Sequence, residues 1–183
     1  MPRLEVVAGS MYSGKSTELI RRLEREQIAR RSVVAFKPSF DSRYETDSIV
    51  THSGQKITCH LVDTIRQVPE LSDKFDVVGI DEVSLFPAGD WDIISEIVDR
   101  HHLTIVAGLD MTYRREPFGM MPYLMAVADD VTKLSAVCHV CGEDAKYTQR
   151  LVGDKPAPFD GPTIEIGALE SYQARCAKCF EAA

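Results

Sequence analysis

Three groups of residues in this chain have the types and spacing to do chemistry. The first, Gly9-Ser10-Met11-Tyr12-Ser13-Gly14-Lys15-Ser16, fits G-x-x-x-x-G-K-[ST] with nothing missing. Glycines at both ends let the backbone curl until successive N–H groups face phosphate oxygens, and a helix beginning near Gly14 adds its positive dipole end. Lys15 can then reach the terminal phosphates, and the Ser16 hydroxyl can hold the Mg²⁺ that bridges them. A glycine turn that merely caps a helix is the alternative. The flanks favour the phosphate cradle, because an apolar run at 4–8 precedes it and a long helical pattern follows.

The second group is the acidic pair Asp81-Glu82, which closes the run FDVVGIDE at 75–82. In a parallel sheet the ligand sits beyond the carboxyl ends of the strands, so Asp81 would arrive beside the Mg²⁺ with Ser16, and Glu82 would point at the phosphate acceptor. The third group is Cys138-x2-Cys141 and Cys176-x2-Cys179, four thiolates that complete a closed tetrahedral Zn²⁺ site. The knuckles lie farther apart than in the usual ribbon. A redox pair is the competing reading, but a catalytic metal site would keep a position open, so structural zinc is expected. His139, inside the first knuckle, reads as a bystander.

These groups need elements to position them. Residues 17–31 read as a helix with Leu19, Ile20, Leu23 and Ile28 as its apolar stripe and a solvated, salt-bridged face that includes Glu18 and Arg22. A strand at 32–37 is stopped by Pro38. Residues 39–60 read as a mobile hairpin or flap, with weak alternation at 49–52 and 57–61. Asp41, Arg43 and Tyr44 stand out there, because phosphoryl transfer benefits from a guanidinium near the migrating charge; a surface pair without a role is the alternative. Cys59 reads as a buried strand cysteine, and His52 and His60 as surface or strand histidines.

A short helix at 64–73, broken or restarted at Pro69, leads to the acidic strand. The helix at 91–100 turns Trp91, Ile94, Ile97 and Val98 inward, and 103–109 is another buried strand. The loop 110–119 carries Tyr113, Phe118, Arg114 and Arg115; these could be a wall for a flat ring with charge for phosphate, or the aromatics could be core. A helix at 120–128 and a strand at 131–137 finish the main unit. Strands alternating with helices predict α/β architecture: a P-loop NTPase-type parallel sheet flanked by helices, with a small C-terminal zinc ribbon carrying a lasso loop. The expected domains are a nucleotide-binding unit, 1–136, and a zinc-binding lasso unit, 137–183. In the latter a strand at 146–152 precedes a flexible Pro/Gly-rich stretch, 153–163, pinned at both ends by the metal and able to act as a lid.

Composition limits the partners. With 183 residues, 44% hydrophobic, one main core is expected, and no run is long and apolar enough to span a bilayer. A formal charge of −7 argues against a broad nucleic-acid footprint. MPRLEVVAG runs straight into the first strand, so no signal peptide and a cytoplasmic location are expected.

The motifs GSMYSGKSTEL, FKPSFDSRY, IDEV, AGLD with REPFG, VTKLSAVCHVCG and IGALESYQARC, in this order, resemble the cytosolic thymidine kinase family of zinc-containing P-loop enzymes. The resemblance implies that Gly9, Ser10, Met11, Tyr12, Ser13, Gly14, Lys15 and Ser16 bind the phosphates of ATP, that Ser16 and Asp81 hold Mg²⁺, and that Glu82 is the general base. It implies Asp41 and Arg43 near phosphates and sugar. Met11, Leu109, Tyr113, Phe118 and Thr148 would line the base pocket, with lasso backbone from Thr163, Ile164, Glu165, Ile166 and Gly167 at the base edge. Tyr172 would close the site, and Cys138, Cys141, Cys176 and Cys179 would hold Zn²⁺. A homotetramer inhibited by dTTP is also implied. Where the family commonly has Gln-Phe-Phe, this chain has Ser84, Leu85 and Phe86, a change that bears on the sugar and base pocket.

The expected activity is ATP-dependent phosphorylation of the 5′-hydroxyl of a deoxypyrimidine nucleoside, thymidine first. Two other readings are a kinase of the same scaffold with a different nucleoside acceptor, and a nucleotide-dependent nucleic-acid-binding zinc protein. The acidic composition weighs against the last.

Overall fold

Two-residue alternation along the central strands sorts their side chains into two cores. The computed structural model describes residues 1–39, 48–50, 56–163 and 171–182. Its first part runs β1 (Leu4–Gly9), α1 (Lys15–Ile28), β2 (Val33–Pro38), the hairpin β3 (Ser48–Val50) and β4 (Lys56–Thr58), β5 (His60–Val62), α2 (Val68–Ser72), β6 (Val77–Ile80), α3 (Trp91–Arg100), β7 (Leu103–Gly108), α4 (Met121–Val127) and β8 (Asp130–Leu134). The six-stranded sheet has the order β5-β2-β6-β7-β1-β8, with every neighbour parallel. Val6, Ala8, Val34, Phe36, Val78, Ile80 and Val106 share one core with Ile93, Ile94 and Ile97 of α3 and Met121 and Leu124 of α4. The intervening Val7, Ala35, Val77, Ile105 and Ala107 meet Leu19, Ile20 and Leu23 of α1 on the opposite face. Both sheet faces are therefore covered, as continuous parallel strands require.

Several local expectations need correction. Ile28 is 83% exposed. Nine residues at about 100° each put it opposite Leu19 on the helix. In α3 the buried face is centred on Ile93, Ile94 and Ile97, and Val98 packs partly against the same core. Trp91 lies at its margin, stacked on Tyr123 with ring centroids 5.8 Å apart. Arg22 is also less solvated than its helix pattern suggests. Its guanidinium meets Glu18 and Glu5 at 2.7 Å and the Thr132 hydroxyl at 2.8 Å, tying α1 to β1 and β8. The helix at 64–73 divides into a 3-10 turn and α2, with Pro69 in the first turn, where its missing N–H costs no helical bond. Cys59 is buried beside the hairpin, and His60 lies on β5 against Phe36.

The strand expected at 131–137 is two elements. β8 leaves the large sheet at Leu134, and β9 (Ala136–Val137) pairs antiparallel with β10 (Asp144–Ala145). β11 (Tyr147–Val152) follows, flanked by β12 (Lys155–Pro156) and β13 (Tyr172–Arg175) in an antiparallel three-stranded sheet. The stretch 153–163, expected as flexible loop, thus begins as a hairpin with Leu151 opposite Pro156. Among the described residues, no helix is long and apolar enough to cross a membrane.

Candidate active site

Gly9 ends β1 with φ 155°, and a Cβ there would lie 2.5 Å from the Leu134 carbonyl oxygen and 2.7 Å from Ser13 Oγ. No side chain fits between loop and sheet at this point. Gly14, with φ 85°, is the left-handed residue from which α1 starts. Between them the loop is closed on itself: Lys15 Nζ and Ser13 Oγ each donate to the Ser10 carbonyl at 2.8 Å. Ser10 and Lys15 are buried. Phosphate-loop residues 9–16 therefore form one tight turn at the carboxyl end of β1, with the N-terminal end of α1 behind it.

β1 and β6 flank β7, so the acidic pair after β6 reaches the same edge of the sheet. The Asp81 N–H donates to the Phe36 carbonyl at 2.9 Å, and the Ser16 hydroxyl faces its carboxylate. Burial, and then the negative charge of Glu82, push the Asp81 carboxyl up to about 7 against the opposing pull of Ser16, the Glu82 N–H and Lys15. A divalent cation at this point would favour the charged form. The Ser16 hydroxyl and the Asp81 carboxylate are the hard oxygen donors that Mg²⁺ takes. Glu82 itself has φ 51° and ψ 36°, a left-handed conformation costly for a residue with a Cβ, and a 3-10 turn at Val83–Leu85 follows. Strain of this kind concentrates where geometry serves chemistry.

The C-terminal module is hydrogen-bonded to the phosphate loop at three consecutive residues. Ser10 Oγ donates to the Ala145 carbonyl at 3.4 Å, the Met11 N–H to Thr148 Oγ1 at 3.0 Å, and the Tyr12 hydroxyl to the Tyr172 carbonyl at 3.2 Å. Met11, Thr148 and Tyr172, three of the residues expected around the base, are thereby brought together. Leu109 and Ser84 meet as well, since the Leu109 N–H donates to Ser84 Oγ at 3.1 Å. Ser84 thus joins the end of β7 to the turn after Glu82. Tyr113 and Phe118 are both buried. Asp41, Arg43, Ile164, Glu165, Ile166 and Gly167 lie outside the described residues.

Arg114 and Arg115, read as possible charge for phosphate, are engaged elsewhere. Arg115 stacks over Tyr147, 4.3 Å from its centroid, and Arg114 donates to backbone and side-chain oxygens of residues 159–163. Nothing in the sequence spacing pointed to these contacts or to Arg150, which joins them. Their partners lie more than thirty residues away for Arg115 and more than forty for Arg114.

The four cysteines converge, with ligand atoms all within 4.8 Å of one another and Cys141 Sγ 3.6 Å from Cys176 Sγ. The two knuckles have like electrostatics. Burial raises the Cys138 thiol, yet backbone N–H groups of Cys176, Cys141 and Val140 outweigh it and hold the thiol down to about 6. Cys176 is lowered in the same manner, burial again being overcome by the Cys179 N–H and neighbouring groups. Cys179 goes the other way, up to about 12, because it hydrogen-bonds to Cys141 and Cys176. Four thiolates cannot crowd together without a cation, and their soft, closed tetrahedral donor set fits Zn²⁺. His139 stands outside the set; its N–H donates to the Ala174 carbonyl at 2.9 Å.

A parallel sheet with a phosphate loop after β1, an acidic pair after β6 and a four-cysteine module define a P-loop α/β protein of the kinase type. The thymidine kinase family profile matches residues 2–180. The chain belongs to the thymidine kinase family, a family of nucleoside-phosphorylating enzymes. Among solved structures, one described as a crystal structure of a DNA replication initiation factor aligns with a TM-score of 0.47 and 8% identity, over 73% of this chain and 40% of that one. The chain thus spans 40% of that protein's length.

Proposed function

We propose that this protein transfers the γ-phosphate of ATP to the 5′-hydroxyl of thymidine, giving dTMP and ADP. The observation that carries the reading is the convergence of Lys15, Ser16, Asp81 and Glu82 at one sheet edge, with the Ser16 hydroxyl facing the Asp81 carboxylate. The loop 9–16 would hold the phosphates on backbone N–H groups, and Lys15 would turn from the Ser10 carbonyl to the β- and γ-oxygens. Glu82 would accept the proton of the 5′-hydroxyl as it attacks in line, while Asp81 and Ser16 would hold Mg²⁺. Mg²⁺ held there would neutralise the charge that develops on the transferred phosphoryl group.

Met11, Leu109, Tyr113, Phe118 and Thr148 would surround the base, with Thr148 near the thymine methyl. Backbone from Thr163, Ile164, Glu165, Ile166 and Gly167 would meet the base edge, Tyr172 would close the site, and Asp41 and Arg43 would approach phosphates and sugar. The reading includes a nucleotide-binding domain at 1–136 and a zinc-binding lasso domain at 137–183. It also includes a cytoplasmic homotetramer without a nucleic-acid partner, inhibited by its distal product dTTP.

The test is ADP release from Mg·ATP with thymidine, deoxyuridine, deoxycytidine or no acceptor. Turnover that is fastest with thymidine supports the reading. Turnover only with another nucleoside would keep the cradle and overturn the acceptor; hydrolysis indifferent to acceptor would overturn the transfer.

A further inference from the structure

The first half of the lasso has little backbone structure to hold it. Past Pro156, its described backbone bonds are Ala157 N–H to the Arg150 carbonyl at 2.9 Å and a tight turn, Gly161 N–H to the Pro158 carbonyl at 3.1 Å. Two of its residues, Pro158 and Pro162, have no N–H to give. Its carbonyls are nonetheless engaged, by side chains from outside. The Tyr113 hydroxyl donates to the Pro158 carbonyl at 2.9 Å and shares the Gly161 carbonyl at 3.3 Å. Arg114 donates from Nε to the Phe159 carbonyl at 2.6 Å, from Nη1 to Thr163 Oγ1 at 3.1 Å and from Nη2 to the Gly161 carbonyl. Buried Arg150 reaches the Pro162 carbonyl at 2.5 Å. The rings and guanidiniums also stack: Arg150 lies 5.4 Å from the Tyr113 centroid, and Arg114 lies 5.0 Å from Tyr113 and 5.3 Å from Phe159.

Arg114 is the centre of this clasp. All three of its side-chain nitrogens serve the lasso, while its carboxylate neighbour Glu116, half exposed, is 3.9 Å away. A planar fork of fixed donors suits three acceptors spread over residues 159–163, and a lysine ammonium at the same place could not reach all three.

We propose that Arg114 is a positioning residue that sets acceptor affinity by pre-ordering the lasso. This rests on the kinase reading above, in which Thr163 and the four residues after it meet the base edge. Fixing each free backbone residue costs conformational entropy. With the clasp in place, residues 157–163 are ordered before the nucleoside arrives; without it, that cost falls on nucleoside binding. Arg114 is not among the residues at the phosphate end, so the chemical step is left alone.

The experiment compares the full-length zinc-loaded protein with Arg114→Gln and Arg114→Lys. Readouts are backbone amide exchange of residues 157–163 in the free protein, and KM for nucleoside and for ATP with kcat. In Arg114→Gln, exchange in 157–163 should quicken about tenfold or more. Nucleoside KM should rise on the order of tenfold, with kcat and the KM for ATP within about twofold. Arg114→Lys should behave like Gln rather than like Arg. Unchanged exchange, or a fall in kcat at constant nucleoside KM, overturns the proposal, as does full restoration by lysine. If no nucleoside is turned over by the parent protein, the kinase reading fails and the exchange measurement alone decides whether the clasp orders the lasso. Should Arg114→Gln not fold, Tyr113→Phe removes one hydroxyl and keeps the ring; because that ring also belongs to the base pocket, only the exchange of residues 157–163 is read, which should quicken about threefold, and exchange equal to the parent's would overturn the clasp.

Discussion

The phosphate end of this site and the module that closes on it are held together by different physics. The phosphate loop sits on a core of Leu, Ile, Val, Phe and Met that packs both faces of a six-stranded sheet. The C-terminal module's buried cluster consists of Ala136, Cys138, Ala145, Ala174 and Cys176, with Cys179 against it. Alanine and cysteine bury too little apolar area to order such a unit, at roughly 25 cal/mol per Å². The four converging thiols could hold a metal ion, and such a site would supply the cohesion that the sheet obtains from burial. The loop is also local, a turn of consecutive residues. The module acts through long-range bonds, from Met11 to Thr148 and from Arg114 to the lasso. A local site tolerates loss of distant parts; a nonlocal one fails with its anchor.

The largest expected effect isolates the chemistry at the rigid end. Glu82→Gln should lower kcat by about 10²–10⁴, with ligand KM values changed by less than about threefold. Loss of nucleoside affinity with kcat preserved would instead place Glu82 in the acceptor's binding.

Cys176→Ser separates the two kinds of cohesion. Zinc content should fall below one per chain, and the melting temperature should drop by about 6 °C or more, the shift for roughly 2 kcal/mol in a chain of this size. Nucleoside KM should rise more than ATP KM. Equal loss of both would mean that the phosphate loop depends on the module as fully as the acceptor pocket does.

Thr148→Val probes the seam between the regions. Valine keeps the volume and a methyl but leaves the Met11 N–H without its acceptor, which should cost about 1–3 kcal/mol of stability by chemical denaturation. ATP KM should rise several-fold. If only nucleoside KM moves, Thr148 serves the base and not the loop.

The smallest effect lies far from the module. A hydrogen bond from Arg21, aided by Arg22, holds the Glu18 carboxylate down to about 2. That is below the value of roughly 4.3 in an unfolded chain. The pairing therefore stabilises fully above about pH 5 and fades as pH falls toward 2. Glu18→Gln should be less stable than the parent by at most about 1 kcal/mol at pH 7, the difference shrinking as pH falls through about 2 and vanishing near about pH 1. A difference independent of pH would assign the loss to packing.

Where chemistry needs consecutive backbone groups, one-dimensional pattern sufficed. Gly9, Gly14, Lys15 and Ser16 were legible because the turn requires those types at that spacing, and Asp81 and Glu82 because an apolar strand delivers them to the sheet edge. The paired Cys-x2-Cys knuckles were legible for the same reason, since each knuckle is a local turn that aims two thiols at one point. Helix faces were read less well: Ile28 and Trp91 were placed inward by periodicity, yet which arc of a helix is buried depends on the surface it meets. The break at Ser135, the hairpin at 151–156 and the contacts of Arg114 with residues 159–163 were not in the pattern at all.

What the sequence by itself determined is the class of fold, the tight glycine turn after β1, the place of the acidic pair and the cysteine cluster, all carried by local spacing and two-residue or helical periodicity. What only the tertiary structure decided is how the module meets that cradle: Thr148 on the Met11 N–H, Ser84 on the Leu109 N–H, Tyr113, Arg114 and Arg150 on the lasso carbonyls. Those partners are 25 to 137 residues apart for the first two contacts. No spacing rule encodes them, because their distance is set by the packing of whole elements and not by the chain between them.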